Sequence, residues 1–159
     1  FDSLNPKKEG IDYIYSYHAF EHIYNIESNF KECYNALSHN GTFMLCVPIS
    51  DGLLPRLFKK YWYDLGVPIH KQIFSVAGIH ILANRHGFKI SKYKYNSYSE
   101  SFVGSIIAYL LGLFNVDKAA QSYSHSRLFK ISCFLASPIV VVLDSIGLGD
   151  RAEFVLTKK

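Results

Sequence analysis

Ile11-Asp-Tyr-Ile-Tyr-Ser-Tyr-His-Ala-Phe-Glu-His22, continued by a helical repeat from Asn25 to Leu37 and then by Asn40-Gly-Thr-Phe-Met-Leu-Cys-Val-Pro48, decides how this chain folds. Successive strand residues point to opposite faces, so Ile11, Tyr13, Tyr15 and Tyr17 share one face and Asp12, Ile14 and Ser16 the other. Both faces carry apolar groups. Phe30, Cys33, Tyr34 and Leu37 then recur at the spacing of one buried helical stripe, with Ser28 or Asn29 as caps of the first turn. Asn40-Gly41 is read as the left-handed end of that helix. Thr42 to Val47 is a nearly unbroken apolar run, as in a central strand covered on both faces by helices. Strand, helix and strand in this order predict a right-handed crossover in a parallel sheet, hence an α/β fold.

Outward from this unit the pattern weakens between Asp51 and His70. Pro55, Pro68 and the cluster Tyr61-Trp62-Tyr63 predict a loop with a short helix over the sheet's carboxyl edge, where a substrate lid could sit. Ser75 caps a further helix with Val76, Ile79, Leu82 and Ala83 inward, and Gly87 closes it. A strand over Phe88–Tyr95 follows, with a bulge between Ile90 and Tyr93 where the alternation slips. A last short strand is expected over Ala152–Thr157. Gly147-Leu-Gly149 reads as a turn, because it enters a strand instead of opening a helix.

Between these two strands stand two apolar segments, 102–114 and 131–143. About 15 helical residues reach only ~22 Å against a hydrocarbon core of ~30 Å, and Pro138 interrupts the second segment. A helical hairpin packed on the domain or on another subunit is expected, with contact to a membrane surface as the alternative.

The chain's 159 residues, 49% hydrophobic and 19% charged, exclude disorder and suit one compact domain. The net charge of +4 is scattered in pairs such as Lys7-Lys8 and Lys59-Lys60, which makes no case for nucleic acid. Its densest version, Lys89 to Tyr95, reads as a solvated strand face. Cys33, Cys46 and Cys133 have neither disulfide nor zinc-knuckle spacing, and a reducing cytoplasm is the expected setting, with membrane association through the apolar segments as a second option.

Taken together, Ile11-Asp-Tyr-Ile-Tyr, Ala19-Phe-Glu-His-Ile23, the helix from Phe30 to Leu37, Asn40-Gly41 and Leu45-Cys-Val-Pro48 resemble, in order, the later half of a class I S-adenosylmethionine-dependent methyltransferase of the type 11 or type 23 kind. His70 to Ser75, leading through a helix to His86-Gly-Phe88, is similar to the segment before that family's sixth strand. The resemblance implies a Rossmann-like sheet of parallel strands with a final antiparallel strand. Residues 1–159 would be part of that domain, and 101–147 an apolar helical insertion. The glycine-rich cofactor loop and the acidic residue for the ribose would lie before Phe1. The strand Ile11–Tyr17 would normally pair with a strand of that upstream half, so its bare edge predicts self-association.

The resemblance further implies S-adenosylmethionine as cofactor and methyl transfer to a small-molecule acceptor at the carboxyl edge of the sheet. Ser16, Tyr17 and His18 match the family's cofactor-contacting segment, and His18 is the candidate general base. Pro48, Ile49 and Ser50 leave the next strand on the acceptor side, with Tyr61 and Trp62 above them. The apolar segments and the aromatic cluster favour a lipid-like or quinone-like acceptor. Quinone-type O-methyltransferases resemble this segment but carry Glu-x-x-Glu-His and hold a divalent metal there. With His18 at the first position, a metal is not the first expectation: Glu21 and His22 are read as local hydrogen-bonding groups that hold the turn, and as the candidate ligands otherwise, with a preference shifted toward softer ions.

His18-x-x-Glu21-His22 also spells the inverted zinc-protease motif. It starts at a strand end, with little helix before it and only Glu100 as a candidate third ligand, which argues against a protease. A non-catalytic scaffold and a membrane-surface module remain the alternatives to an enzyme.

Overall fold

A computed structural model describes residues 10–113 and 126–159. Lys7-Lys8 and Phe114, the end of the first apolar segment, lie outside the described residues. The described elements run β1 (Ile11–Tyr17), α1 (Ile26–Ala36), β2 (Leu37–Pro48), α2 (Leu53–Phe58), α3 (Val76–Arg85), β3 (Phe88–Tyr95), α4 (Ser99–Leu113), α5 (Arg127–Ser145) and β4 (Arg151–Lys158). Short 3-10 turns cover Phe20–His22, Lys59–Tyr61 and Tyr63–Leu65. One sheet has the order β1-β2-β4-β3, with β1 and β2 parallel and β4 antiparallel to both of its neighbours. The mixed α/β architecture, with parallel strands and a final antiparallel one, is the expected class.

Phe43, Leu45 and Val47 of β2 and Phe154 and Leu156 of β4 form the core with Phe30 and Cys33 of α1, Ile79, Leu82 and Ala83 of α3, and Phe88. Phe20, Phe30, Phe43 and Phe88 meet edge-on or tilted, with ring centroids 5.4 to 6.2 Å apart, the arrangement that aromatic quadrupoles favour. The opposite face of β1 is open. Tyr13, Tyr15 and Tyr17 are exposed there, 6.5 and 5.8 Å apart in succession, and the Tyr13 hydroxyl donates to Met44 Sδ at 3.2 Å.

The α1 boundaries differ from expectation. Its cap is Asn25, whose side chain accepts from Ser28 N at 3.2 Å, so Ser28 supplies the amide and is not itself the cap. The helix stops at Ala36, with Leu37 already extended, and Asn40-Gly41 lies inside β2. Gly41 is needed there for close approach: a Cβ would meet Leu37 Cδ2 at 2.5 Å and Ile11 O at 2.8 Å. The α3 features are as read. Ser75 Oγ accepts from Gly78 N at 3.0 Å, and Gly87 has φ +80° just before β3, whose pairing shifts register between Ile90 and Lys92. Gly147, at φ +77°, forms part of the turn before β4.

The two apolar segments form α4 and α5, which share a small core of Val103, Phe129, Cys133 and Ala136. Pro138 does not interrupt α5, which is 19 residues long. Proline leaves the carbonyl four residues earlier without its amide donor. That carbonyl belongs to Phe134, and the Ser137 hydroxyl donates to it at 2.8 Å. At 1.5 Å per residue α5 spans about 28 Å, long and apolar enough to cross a membrane by length and composition, and 22% of its most apolar window is buried.

All three cysteines are free and buried. Burial pushes the Cys33 thiol up to about 12 and the Cys46 thiol to about 11. Because the thiolate is the reactive species, neither is expected to react with a disulfide reagent at mildly alkaline pH until the chain is unfolded. Rapid native-state labelling of either, read by mass spectrometry, would contradict this packing.

Candidate active site

β1 and β2 end, and β4 begins, at one edge of the sheet, which brings His18, Asp150 and Arg151 to the same side as the loop after α2. His18 leaves β1 in the left-handed region at φ +49°, with its amide donating to Cys46 O at 3.1 Å. A non-glycine residue there is strained and persists only where its surroundings over-determine it. The constraint is visible. His18 Nδ1 lies 2.9 Å from Oε1 of Glu21, which is 1% exposed on the following 3-10 turn. Burial alone would raise the Glu21 carboxyl, but the hydrogen bond from His18, a backbone hydrogen bond and the nearby His18 and His22 charges hold it below the usual carboxylate range. An ionised carboxylate only accepts, so Nδ1 carries a proton, and in the neutral imidazole Nε2 then presents a lone pair. Nε2 is buried and has no hydrogen-bond partner, as are Ser16 Oγ and Glu21 Oε2.

A second polar layer stands beside it. Arg151, 5% exposed, donates from Nη2 to Asp64 Oδ2 at 2.8 Å, and its Cζ lies over the Tyr98 ring, 3.6 Å from the centroid. The Tyr98 ring is in turn 6.2 Å from the His18 ring. Burial raises the Asp64 carboxyl, with Arg151 opposing and Asp150 adding to the rise. Asp150 Oδ2 accepts from Trp62 Nε1 at 2.8 Å and from Ser101 Oγ at 2.5 Å, which pins the aromatic cluster to the start of β4.

The structure thus gathers Ser16, Tyr17 and His18 at the end of β1, with the Tyr17 ring edge-on to His18 at 4.6 Å. Pro48 pairs with Arg151, the Ile49 amide donates to Asp150 O, and Ser50 bonds through both its amide and its hydroxyl to Phe74 O. Trp62 is buried and committed to Asp150, whereas Tyr61 turns toward α4, 5.7 Å from Tyr109. Asp64, Tyr98 and Arg151 were not singled out from the sequence: the Asp64–Arg151 pair spans 87 residues, and the last strand was started one residue too late to include Arg151. His70 was also missed as a site residue. Its ring lies 4.9 Å from that of His22, although only their positions in the loop and turn, not their spacing, bring them together.

The polar atoms without partners at the end of β1 are the kind a polar cofactor would engage, so the residues present fit one wall of a cofactor cleft. A profile of the methyltransferase domain family matches residues 1–93. No curated protein matches the chain. Among solved structures, the fold is similar to a S-adenosylmethionine-dependent methyltransferase of Thermotoga maritima, with 16% identity and a TM-score of 0.57, covering 99% of this chain and 60% of that one. It is also similar to a mycolic acid cyclopropane synthase complexed with SAH and CTAB, with 17% identity, TM-score 0.52 and coverage of 96% and 57%. A third likeness is to an O-methyltransferase of a Brevibacillus brevis multienzyme bound to S-adenosyl-L-homocysteine, with 18% identity, TM-score 0.50 and coverage of 97% and 46%. The chain therefore spans about half to three fifths of the length of these structures. With the profile matched over more than half its length, the chain belongs to the methyltransferase domain family, the class I S-adenosylmethionine-dependent methyltransferases.

Proposed function

We propose that this chain is the acceptor-side part of an enzyme that methylates a hydroxyl-bearing small molecule of lipid-like or quinone-like character. The observation that carries the reading is the His18–Glu21 pair: a buried carboxylate sets the imidazole tautomer, and the free Nε2 is poised to take a proton. S-adenosylmethionine would supply an electrophilic methyl group. The protein's own work is alignment and proton removal, worth typically about 10²–10⁴-fold for a well-placed base. His18 Nε2 would accept the acceptor's proton as its oxygen bonds to the methyl carbon. Ser16 and Tyr17 would line the cofactor side, and Pro48, Ile49 and Ser50 the acceptor side beneath the Tyr61-Trp62-Tyr63 segment. Arg151 and Asp64 position Tyr98 next to the imidazole.

Titrating S-adenosylhomocysteine calorimetrically into this chain and into the protein extended upstream tests the reading. Micromolar binding by the extended form alone is expected, because this chain spans only about half to three fifths of the structures it resembles. Binding by neither form would leave a non-catalytic scaffold.

The apolar face of α5 supports a second reading that bears on the acceptor. Leu128, Phe134, Leu135, Val141 and Ile146 are all more than 60% exposed, and a chain in the cytoplasm could lay this face on a membrane that holds the acceptor. Co-sedimentation with neutral and anionic liposomes would support it, and recovery of all the protein in the supernatant would oppose it.

A further inference from the structure

We propose that α4 and α5 seat on a lipid surface that carries anionic headgroups, with Arg127, Lys130, Lys59 and Lys60 as the cations that meet them. The inference rests on the reading of α5 as a membrane-facing helix and adds the lipid class and the orientation. Ile131, Leu135, Ile139 and Val142 follow one another at helical spacing and are all at least half exposed. They lie opposite the buried stripe of Phe129, Cys133, Ala136 and Val140. Leu110 and Leu113 are exposed near the end of α4. An apolar strip that runs along a helix suits one lying in the plane between headgroups and acyl chains.

Charge is sorted along the two helices. Neither Ser101 to Leu113 nor Ile131 to Leu143 contains a charged residue. Glu100 stands in the first turn of α4, and Asp144 near the end of α5 accepts from Ser97 N at 2.8 Å, so the acids belong to the ends that adjoin the sheet. The cations belong to the other ends. Arg127 and Lys130 begin α5. Near the end of α4, Tyr61 lies 5.7 Å from Tyr109, a Cβ on Gly112 would meet the Tyr61 ring, and Lys60 Nζ lies over that ring, 4.9 Å from its centroid. Lys59 shares the same 3-10 turn, and both lysines are exposed. In the sequence joining the helices, Asp117 and Lys118 cancel.

The protein itself does not neutralise these cations. Among the described residues, none of the four takes part in an ion pair. The first turn of α5 holds no acidic residue, and a cation there opposes the positive end of the helix dipole. Arg127 and Lys130 therefore weaken the start of α5 in the isolated chain, and anions outside the chain would offset that loss. Arg and Lys can bury their methylene stems beside apolar neighbours while the charged heads stay at headgroup level, which lets Leu128 and Ile131 sink between them.

Co-sedimentation of the full chain with vesicles of phosphatidylcholine alone, and with an equal mixture of phosphatidylcholine and phosphatidylserine, tests the inference. One Lys or Arg near an anionic leaflet strengthens binding roughly fivefold, so the mixed vesicles should bind at least about 25-fold more tightly. Salt near 1 M, where the screening length is about 3 Å, should remove the difference. Arg127→Glu/Lys130→Glu should lower affinity for the mixed vesicles by at least about 25-fold and leave binding to phosphatidylcholine unchanged. Lys59→Glu/Lys60→Glu, on a different element, should act in the same direction. Lys89→Glu/Lys92→Glu, at exposed lysines of β3, should keep the preference for the mixed vesicles. Far-ultraviolet circular dichroism checks that these surface variants stay folded. Equal binding to both vesicles, or equal loss in the β3 variant, would overturn the inference while leaving α5 facing a membrane. Binding to neither vesicle would overturn both.

Discussion

Arg151→Met is expected to destabilise the fold by about 3–5 kcal/mol at neutral pH, the usual cost of removing one partner of a buried ion pair. Asp64, 9% exposed, would be left charged under the aromatic loop, and Tyr98 would lose the guanidinium over its ring. The pH dependence carries a sign. The folded-state carboxyl of Asp64 is already raised from 3.8 by burial, and loss of Arg151 would raise it further. A folded-state value above the unfolded one means that the folded chain binds the proton more tightly, so acid favours folding at this residue. The deficit of the variant should therefore be full at neutral pH and shrink as pH falls through the raised value toward about 4. Urea unfolding at several pH values measures it. Arg151→Met combined with Asp64→Leu should recover most of the loss, since a buried pair replaced by apolar groups is often neutral. A single-variant loss under 1 kcal/mol, unchanged by pH, would show that the pair contributes little.

His18→Ala is expected to lower kcat by about 10²–10⁴-fold in the upstream-extended enzyme assayed with a catechol as acceptor, while changing S-adenosylhomocysteine affinity far less. A base works only when deprotonated, so kcat should rise with pH in the parent enzyme and lose that rise in the variant. Added imidazole should restore part of the rate. Glu21→Gln should fall between the two, because an amide still accepts from Nδ1 but no longer stabilises the imidazolium that forms. Equal kcat and an unaltered pH profile in His18→Ala would move the proton acceptor elsewhere.

The parts of the fold legible in the sequence are those set by local pattern. The β1 alternation, the apolar run of β2, and α3 between Ser75 and Gly87 all rest on residues that touch their near neighbours. The misread boundaries have two causes, a contact distant in sequence in one case and a local side-chain hydrogen bond in the other. Asn40-Gly41 looks like a helix end, but Gly41 is small because β1 passes close to it at Ile11 O. Pro138 looks like a helix end, but Ser137 satisfies the carbonyl that proline abandons. At the site, His18 and Glu21 could be seen because they lie three residues apart, whereas Asp64 with Arg151, Asp150 with Trp62 and His22 with His70 meet only through the tertiary fold. Periodicity does not encode such pairs.

The place of β4 in the sheet has a consequence for the order in which the chain acquires its structure. Arg151–Lys158 separates β2 from β3, so Phe43 waits for Leu156 across more than a hundred intervening residues. While the nascent polypeptide is emerging, β1 with β2 can pair early, but β3 has no neighbour until its own partner is translated. Loop closure over that separation makes such folding slow and leaves strand edges bare in the interim. Chaperone demand during synthesis should accordingly be highest while α4 and α5, with their apolar side chains, are already out of the ribosome and β4 is not.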